Sequence, residues 1–169
     1  MTLTQFLGGG AALVAILAGA TLLLPRHVQV ARAAIVAPDA VTILRLAASG
    51  AGYQRFNPYR DSDPDLAITL FGPESGIGSG FRFDGREGKG TQTVAALASD
   101  AVRYDIDLGA MGRPVQTIRA ERQGDGTHVI WTMEADLGFN PIARVMGLFM
   151  DRMVGPTLER GLAKINTLA

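Results

Sequence analysis

At 169 residues, 47% apolar and 19% charged, the chain has room for one ordinary core and does not have the composition of a disordered protein. Sixteen basic and sixteen acidic residues cancel and no long run of like charge occurs, which removes the electrostatic footprint of a nucleic-acid binder. The absence of cysteine excludes disulfides, thiolate metal sites and a cysteine nucleophile.

From Phe6 to Leu24 the stretch FLGGGAALVAILAGATLLL carries no charge. Its length approaches the ~20 residues that a helix needs to cross a ~30 Å hydrocarbon layer. The expectation is a membrane span through residues 6–24, in an N-terminal unit 1–25 followed by a single domain over 26–169. Two other readings stand beside it. A cleaved signal peptide would need the Ala31–Ala33 site, which lies well past the apolar run, and no Lys or Arg precedes that run. A buried soluble helix would sit poorly with Gly8–Gly10 and with the lack of a polar face. Ala11, Ala15 and Gly19 recur at a spacing that would let two such helices approach closely. Arg26 and Arg32 follow the span, so the positive-inside rule leans toward a cytoplasmic C-terminal domain.

After Pro25, HVQVARAAIVAP alternates well enough for a first strand. DAVTILRLAAS places Val41, Leu44 and Ala48 at helical spacing, with Pro38-Asp39 as a start and Gly50 and Gly52 as stops. GYQRFNPYRDSDPDL reads as part helix, part loop around Tyr53, Phe56 and Tyr59. From Leu66 to Asp136 the runs LAITLFG, SGFRFDG, GTQTVAALAS, AVRYDIDLG, VQTIRAERQ and THVIWTMEAD are separated by turn residues and predict six strands. Val102, Tyr104, Ile106 and Leu108 face one way against Arg103, Asp105 and Asp107. Val129, Trp131 and Met133 do so against His128, Thr132 and Glu134. The sheet therefore has one solvated face and one that must be covered.

The cover is the C-terminal segment, where Ile142, Met146, Phe149, Met150, Met153, Val154, Leu158, Ile165 and Leu168 are expected on one broad helical face. Arg144, Asp151, Arg152 and Glu159 are expected on the other. Asn140-Pro141 suits a cap and first turn, and Gly155-Pro156 predicts a kink or break.

Chemistry-bearing motifs are few. With only His27 and His128, neither a two-histidine metal site nor a Ser-His-Asp triad has obvious partners. Asp61, Asp63 and Asp65 have calcium-like spacing, but Leu66 and Gly72 stand where an EF-hand loop has glycine and glutamate, so a solvated turn is expected. GIGSG lacks the following helix and lysine of a phosphate loop, and Ser75 and Ser79 fall in no nucleophile elbow. Asp151 and Arg152 read as an ion pair that seats the helix. No metal, cofactor or catalytic residue is assigned.

The order of elements, together with IVAPDAV (Ile35–Val41), FNPY (Phe56–Tyr59) followed by DPD, and FGPESGIGSGFRF (Phe71–Phe83), resembles the SRPBCC superfamily. LGAMG (Leu108–Gly112), GTHVIWTMEADLGFNPIAR (Gly126–Arg144) and GLFMDRMVGPTLERGLAKI (Gly147–Ile165) extend the match. These are the START-like domains described as polyketide cyclase/dehydrase and lipid transport, and the likeness is to bacterial, membrane-anchored members. Tyr53, Tyr59 and Phe83 depart from it by standing where relatives often carry Trp. The resemblance implies an α+β helix-grip fold: a curved antiparallel sheet of about seven strands wrapped around a long C-terminal helix, here preceded by a transmembrane helix. It also implies a cavity for a hydrophobic small molecule or lipid, with Tyr104, Trp131, Met133, Phe149, Met150 and Met153 as its lining. The expected function is a membrane-tethered binding domain. The alternatives are a cyclase/dehydrase-like enzyme, in which Tyr104, Asp105 or His128 would orient a substrate, and a structural or stress-related module acting through its surface without a ligand. The fold alone does not choose, because it hosts both carriers and enzymes.

Overall fold

The computed structural model describes residues 19–168. Most of the apolar run 6–24 lies outside them. Among the described residues no helix is long and apolar enough to cross a membrane.

Seven strands form one antiparallel sheet: β1 His27–Val36, β2 Ala67–Phe71, β3 Gly80–Gly85, β4 Gly88–Leu97, β5 Ala101–Asp107, β6 Val115–Gln123 and β7 Gly126–Asp136. Their order is β1-β7-β6-β5-β4-β3-β2. The first strand thus pairs with the last, and every other neighbour is a hairpin connection or its near equivalent. The helices are α1 Ala40–Ala47, α2 Gly50–Tyr53, α3 Tyr59–Ser62, α4 Pro141–Gly147 and α5 Met150–Asn166. All the strands read from the sequence are present. The register between β4 and β5 slips between Val94 and Ala96, which bends β4.

Alternation does what it predicts in β5 and β7. Val102, Tyr104 and Ile106, and Val129, Trp131 and Met133, are buried on the inner face. In α1 the Asp39 carboxylate caps the helix by accepting from Thr42 N at 2.9 Å and Thr42 Oγ1 at 2.7 Å. The helix is rotated from its expected phase, however. Ile43 and Ala47 are buried while Val41 is 76% exposed, because β6 and α2 lie on the Ile43 side.

The C-terminal segment corrects the sequence reading in three ways. Its break falls at Leu148–Phe149, between α4 and α5, and Pro156 sits inside a continuous α5. Gly155 makes this tolerable, since the residue before a proline clashes partly through its Cβ. The same glycine leaves room for the Arg32 guanidinium, onto which an added Cβ would fall. Secondly, Asp151 does not pair with Arg152. Arg32 donates to Asp151 Oδ1 and Oδ2 at 2.7 and 3.0 Å and to Glu159 Oε1 at 2.7 Å, clipping α5 to β1. The Arg32 bond holds the Asp151 carboxyl below its ordinary range. Thirdly, the apolar residues do not share one covered face. Leu158, Leu162 and Ile165 are at most 3% exposed, whereas Ile142, Met146, Phe149 and Met153 are 75, 47, 52 and 58% exposed. Arg144, expected outside, is buried.

Polar turns fix the far edge. Asp63 is buried and accepts from Arg86 N at 2.7 Å, tying the β3–β4 hairpin to the loop after α3. Lys164 donates to Asp61 at 2.8 Å and to Asn57 O at 3.0 Å, joining α5 to α3. The three aspartates read as a turn are therefore structural ties, and among the described residues no cluster of metal-ligating side chains occurs. Gly76 and Gly78 adopt positive φ in the β2–β3 connection, the tight turn expected of GIGSG.

Candidate functional site

The interior between the sheet and the helices is an aromatic cluster centred on Tyr53. The backbone of α2 explains why a four-residue helix can deliver that ring. Gly50 abuts the Gly80 backbone and Gly52 that of Leu46, with no space for a Cβ at either. The turn therefore lies flat on the sheet edge, and Tyr53 points inward. Its ring centroid is 4.9 Å from Phe56, 5.3 Å from Phe81, 5.6 Å from Tyr104 and 5.9 Å from Trp131. Phe56 and Trp131 meet at 5.8 Å, edge to face. Such contacts add to the burial energy of the rings and fix their orientation. On the helix side Gly161 admits the Trp131 ring, which would otherwise collide with a Cβ.

Polar atoms are embedded among these rings. Tyr104 Oη donates to Ala47 O at 2.6 Å. Tyr53 Oη and Trp131 Nε1 both donate to Gln116 Oε1, each at the long distance of 3.4 Å. Gln92 is 5% exposed and its side chain lies beside the Tyr53 hydroxyl, but its Nε2 makes no hydrogen bond of good geometry among the described residues. Gln92 lies opposite Phe81 on one side and Ile106 on the other. A buried amide without a partner costs about 1–3 kcal/mol. Burial pushes both the Tyr53 and the Tyr104 phenol well above the ordinary tyrosine value. Both are neutral O–H donors at neutral pH. The cluster can thus hold an apolar body and hydrogen-bond an acceptor on it, but its phenols and amides are not poised to exchange protons near neutral pH.

Of the six residues expected to line the site, three meet in one core and a fourth, Met133, is buried outside that cluster. Tyr104 and Trp131 belong to the ring cluster, Met133 is 8% exposed and lies opposite Gln116, and Met150 packs half-buried against the same core. Phe149 and Met153 point outward. Asp105 is exposed, and His128 is part of a groove of about 490 Å³ with Ala33, Ile35 and Gln123 at the β1–β7 side of the sheet. A second groove, about 280 Å³, separates β1 from Glu159, Leu162 and Asn166 of α5. Neither is lined by any ring of the cluster.

Four central residues, Tyr53, Phe56, Gln92 and Gln116, escape the sequence reading. The first two lie in a segment whose Asn, Pro and Asp content reads as loop. The glutamines did carry a signal: each occupies an inward position in strand alternation, Gln92 beside Val94 and Gln116 beside Ile118 and Ala120.

Residues 27–169 match the family model described as polyketide cyclase/dehydrase and lipid transport. Among solved structures, the chain is similar to a norcoclaurine synthase point mutant of Thalictrum flavum in complex with a transition-state analogue. The two are 14% identical over 84% of this chain and 93% of that one, with a TM-score of 0.64. A solution structure from Thermobifida fusca is 17% identical over 82 and 90% of the two chains, with a TM-score of 0.62. Major latex-like protein 151 of Panax ginseng is 12% identical over 86 and 100%, with a TM-score of 0.54. At these identities the likeness establishes the helix-grip fold. No curated protein matches the chain.

Proposed function

The chain belongs to the polyketide cyclase/dehydrase and lipid transport family, and from that premise we propose that it is a membrane-tethered binding domain for a hydrophobic small molecule or lipid. The molecule is held between the sheet and α5, against Tyr53, Tyr104, Trp131 and Met150. One observation carries this reading: the buried Gln92 amide, which has the Tyr53 hydroxyl beside it but whose Nε2 makes no hydrogen bond of good geometry among the described residues. A core selected for stability alone would put an apolar side chain there, since a buried donor without an acceptor is destabilising. A ligand carbonyl, hydroxyl or ether oxygen would supply the acceptor while its apolar body displaces Met150 and Val154, which are only partly buried. Phenols that stay protonated and amides that do not titrate favour binding over acid–base catalysis. The tether is the uncharged run 6–24, which would keep the site beside the phase into which such molecules partition, on the cytoplasmic side if Arg26 and Arg32 set the orientation.

Native mass spectrometry of the full chain, purified in detergent, tests the reading. An apolar adduct is expected on the wild type, lost in Met150→Trp and weakened about tenfold in Gln92→Leu, the worth of one neutral hydrogen bond at the upper end of its range. An interior repeatedly free of adduct, or equal uptake by Met150→Trp, refutes it.

The reading without a ligand, a module acting through its surface, has its own support in the close ring contacts and in the apolar residues that α4 and α5 expose. An interior without adduct would leave that reading standing.

A further inference from the structure

The α4 region has the usual order of a soluble helix reversed. Its apolar residues face outward and its arginine faces inward. Phe139 and Ile142 are 74 and 75% exposed, and Met146, Phe149 and Met153 continue the stripe at spacings of four, three and four residues across the α4–α5 break. Arg144 is 5% exposed. Its guanidinium donates to Gly138 O at 2.9 Å, to Leu24 O at 3.1 Å and to Leu22 O. The two leucine carbonyls belong to the end of the uncharged run, where Gly19–Thr21 are helical and Leu23 is 89% exposed. Arg144 thus fastens the point at which that run leaves the domain directly beneath α4. The Arg26 and Arg144 guanidinium carbons lie 5.6 and 5.7 Å from the Phe139 ring centroid. An aromatic ring beside arginines, next to an apolar stripe, is the composition of a membrane–water boundary.

We propose that the stripe Phe139, Ile142, Met146, Phe149 and Met153 is a second membrane contact, seated in the interfacial layer of the same bilayer that residues 6–24 enter. This rests on the tethering part of the reading above and adds an orientation to it. The β1–β7 edge of the sheet and the start of α5 face the lipid, and the β2–β3 edge points away. Position argues for lipid over other occupants. A segment emerging from hydrocarbon at Leu24 brings α4 to the headgroup level at once, because Arg144 allows no slack between them. Apolar side chains in a large exposed patch then meet acyl chains rather than water. The consequence for the binding reading is a route by which an apolar molecule passes between bilayer and interior past Met150, the first residue of α5.

The chain has no cysteine, so single nitroxide labels can be placed without background. The full chain in phosphatidylcholine–phosphatidylglycerol vesicles, with labels at Ile142→Cys, Phe149→Cys and, as a control on the β2–β3 turn, Ile77→Cys, is compared by collision with oxygen and with a water-soluble nickel chelate. Flotation of the vesicles measures association separately, for the wild type and for Ile142→Asp/Phe149→Asp. Oxygen accessibility several-fold above that of the chelate at positions 142 and 149, with the reverse at 77, is the expected result. Co-flotation with water-like labels at all three positions overturns the second contact and leaves the tether intact. Flotation of the wild type but not the double variant supports the contact while removing the tether. Failure of both to float overturns both. Spin–spin broadening between copies, or within one copy between labels at Ile142→Cys and Ala15→Cys, also overturns the proposal, by naming a second copy or the chain's own N-terminal segment as the occupant.

Discussion

The two halves of the C-terminal helical segment have opposite fates, and the more apolar half is the one left exposed. From Thr157 to Ile165, α5 turns Leu158, Leu162 and Ile165 into the core and lays Gly161 on Trp131. From Pro141 to Met153 the segment buries a glycine and an arginine and exposes Ile142, Met146, Phe149 and Met153. Hydrophobicity decides that a residue leaves water if it can. What lies opposite decides whether it does. The second half faces the aromatic cluster, whereas the first meets the sheet at its edge strand β1, through Gly147 against Val28 and Asp151 on Arg32.

If that division is right, substitutions of like size should behave unlike in the two halves. Leu158→Ala should cost about 2–5 kcal/mol in chemical denaturation, since a 1% exposed side chain leaves a cavity against the core. Gly161→Leu should follow at about 1–3 kcal/mol, because the new side chain must displace the Trp131 ring, and tryptophan emission should shift with it. Arg144→Leu is expected to cost about 1–2 kcal/mol and to raise proteolysis near Leu22–Leu24, whose carbonyls lose their donor. Acid reaches the clip between the halves. Asp151 titrates lower in the folded protein than in the unfolded chain, so its contribution is complete above the ordinary carboxylate range and is lost as pH falls through the depressed folded value. Wild type and Asp151→Ala should therefore differ in thermal midpoint at pH 7 and converge as pH falls below the ordinary carboxylate range. Met153→Ala, at a 58% exposed position, should change stability by less than about 0.5 kcal/mol in detergent. A loss there comparable to Leu158→Ala would erase the contrast.

Much of the architecture is legible in local pattern. Period-two alternation places Tyr104, Trp131 and Met133 inward, turn dipeptides mark the hairpins, and Asp39 and Asn140 sit at the helix starts they cap. Local pattern also suggested a kink or break at Gly155-Pro156 and a pair between Asp151 and Arg152. No break occurs there because Gly155 has no Cβ to clash with the proline, and the pair fails for a tertiary reason, the arrival of Arg32 from β1 at Asp151. The candidate site is about half legible. Its strand residues follow alternation, but Tyr53 and Phe56 come from a segment rich in loop residues, and only contact with the sheet makes that segment core.

By itself the sequence determined the seven strands, the inward residues of the sheet and the uncharged character of residues 6–24, because these depend on the periodicity and polarity of neighbours along the chain. The tertiary structure alone decided which apolar residues of the C-terminal segment are covered, which carboxylates Arg32 joins, and that the Gln92 Nε2 finds no hydrogen bond of good geometry among the described residues. Each of these depends on groups distant in sequence meeting in space, a meeting that alternation, which marks Gln92 as inward, does not itself encode.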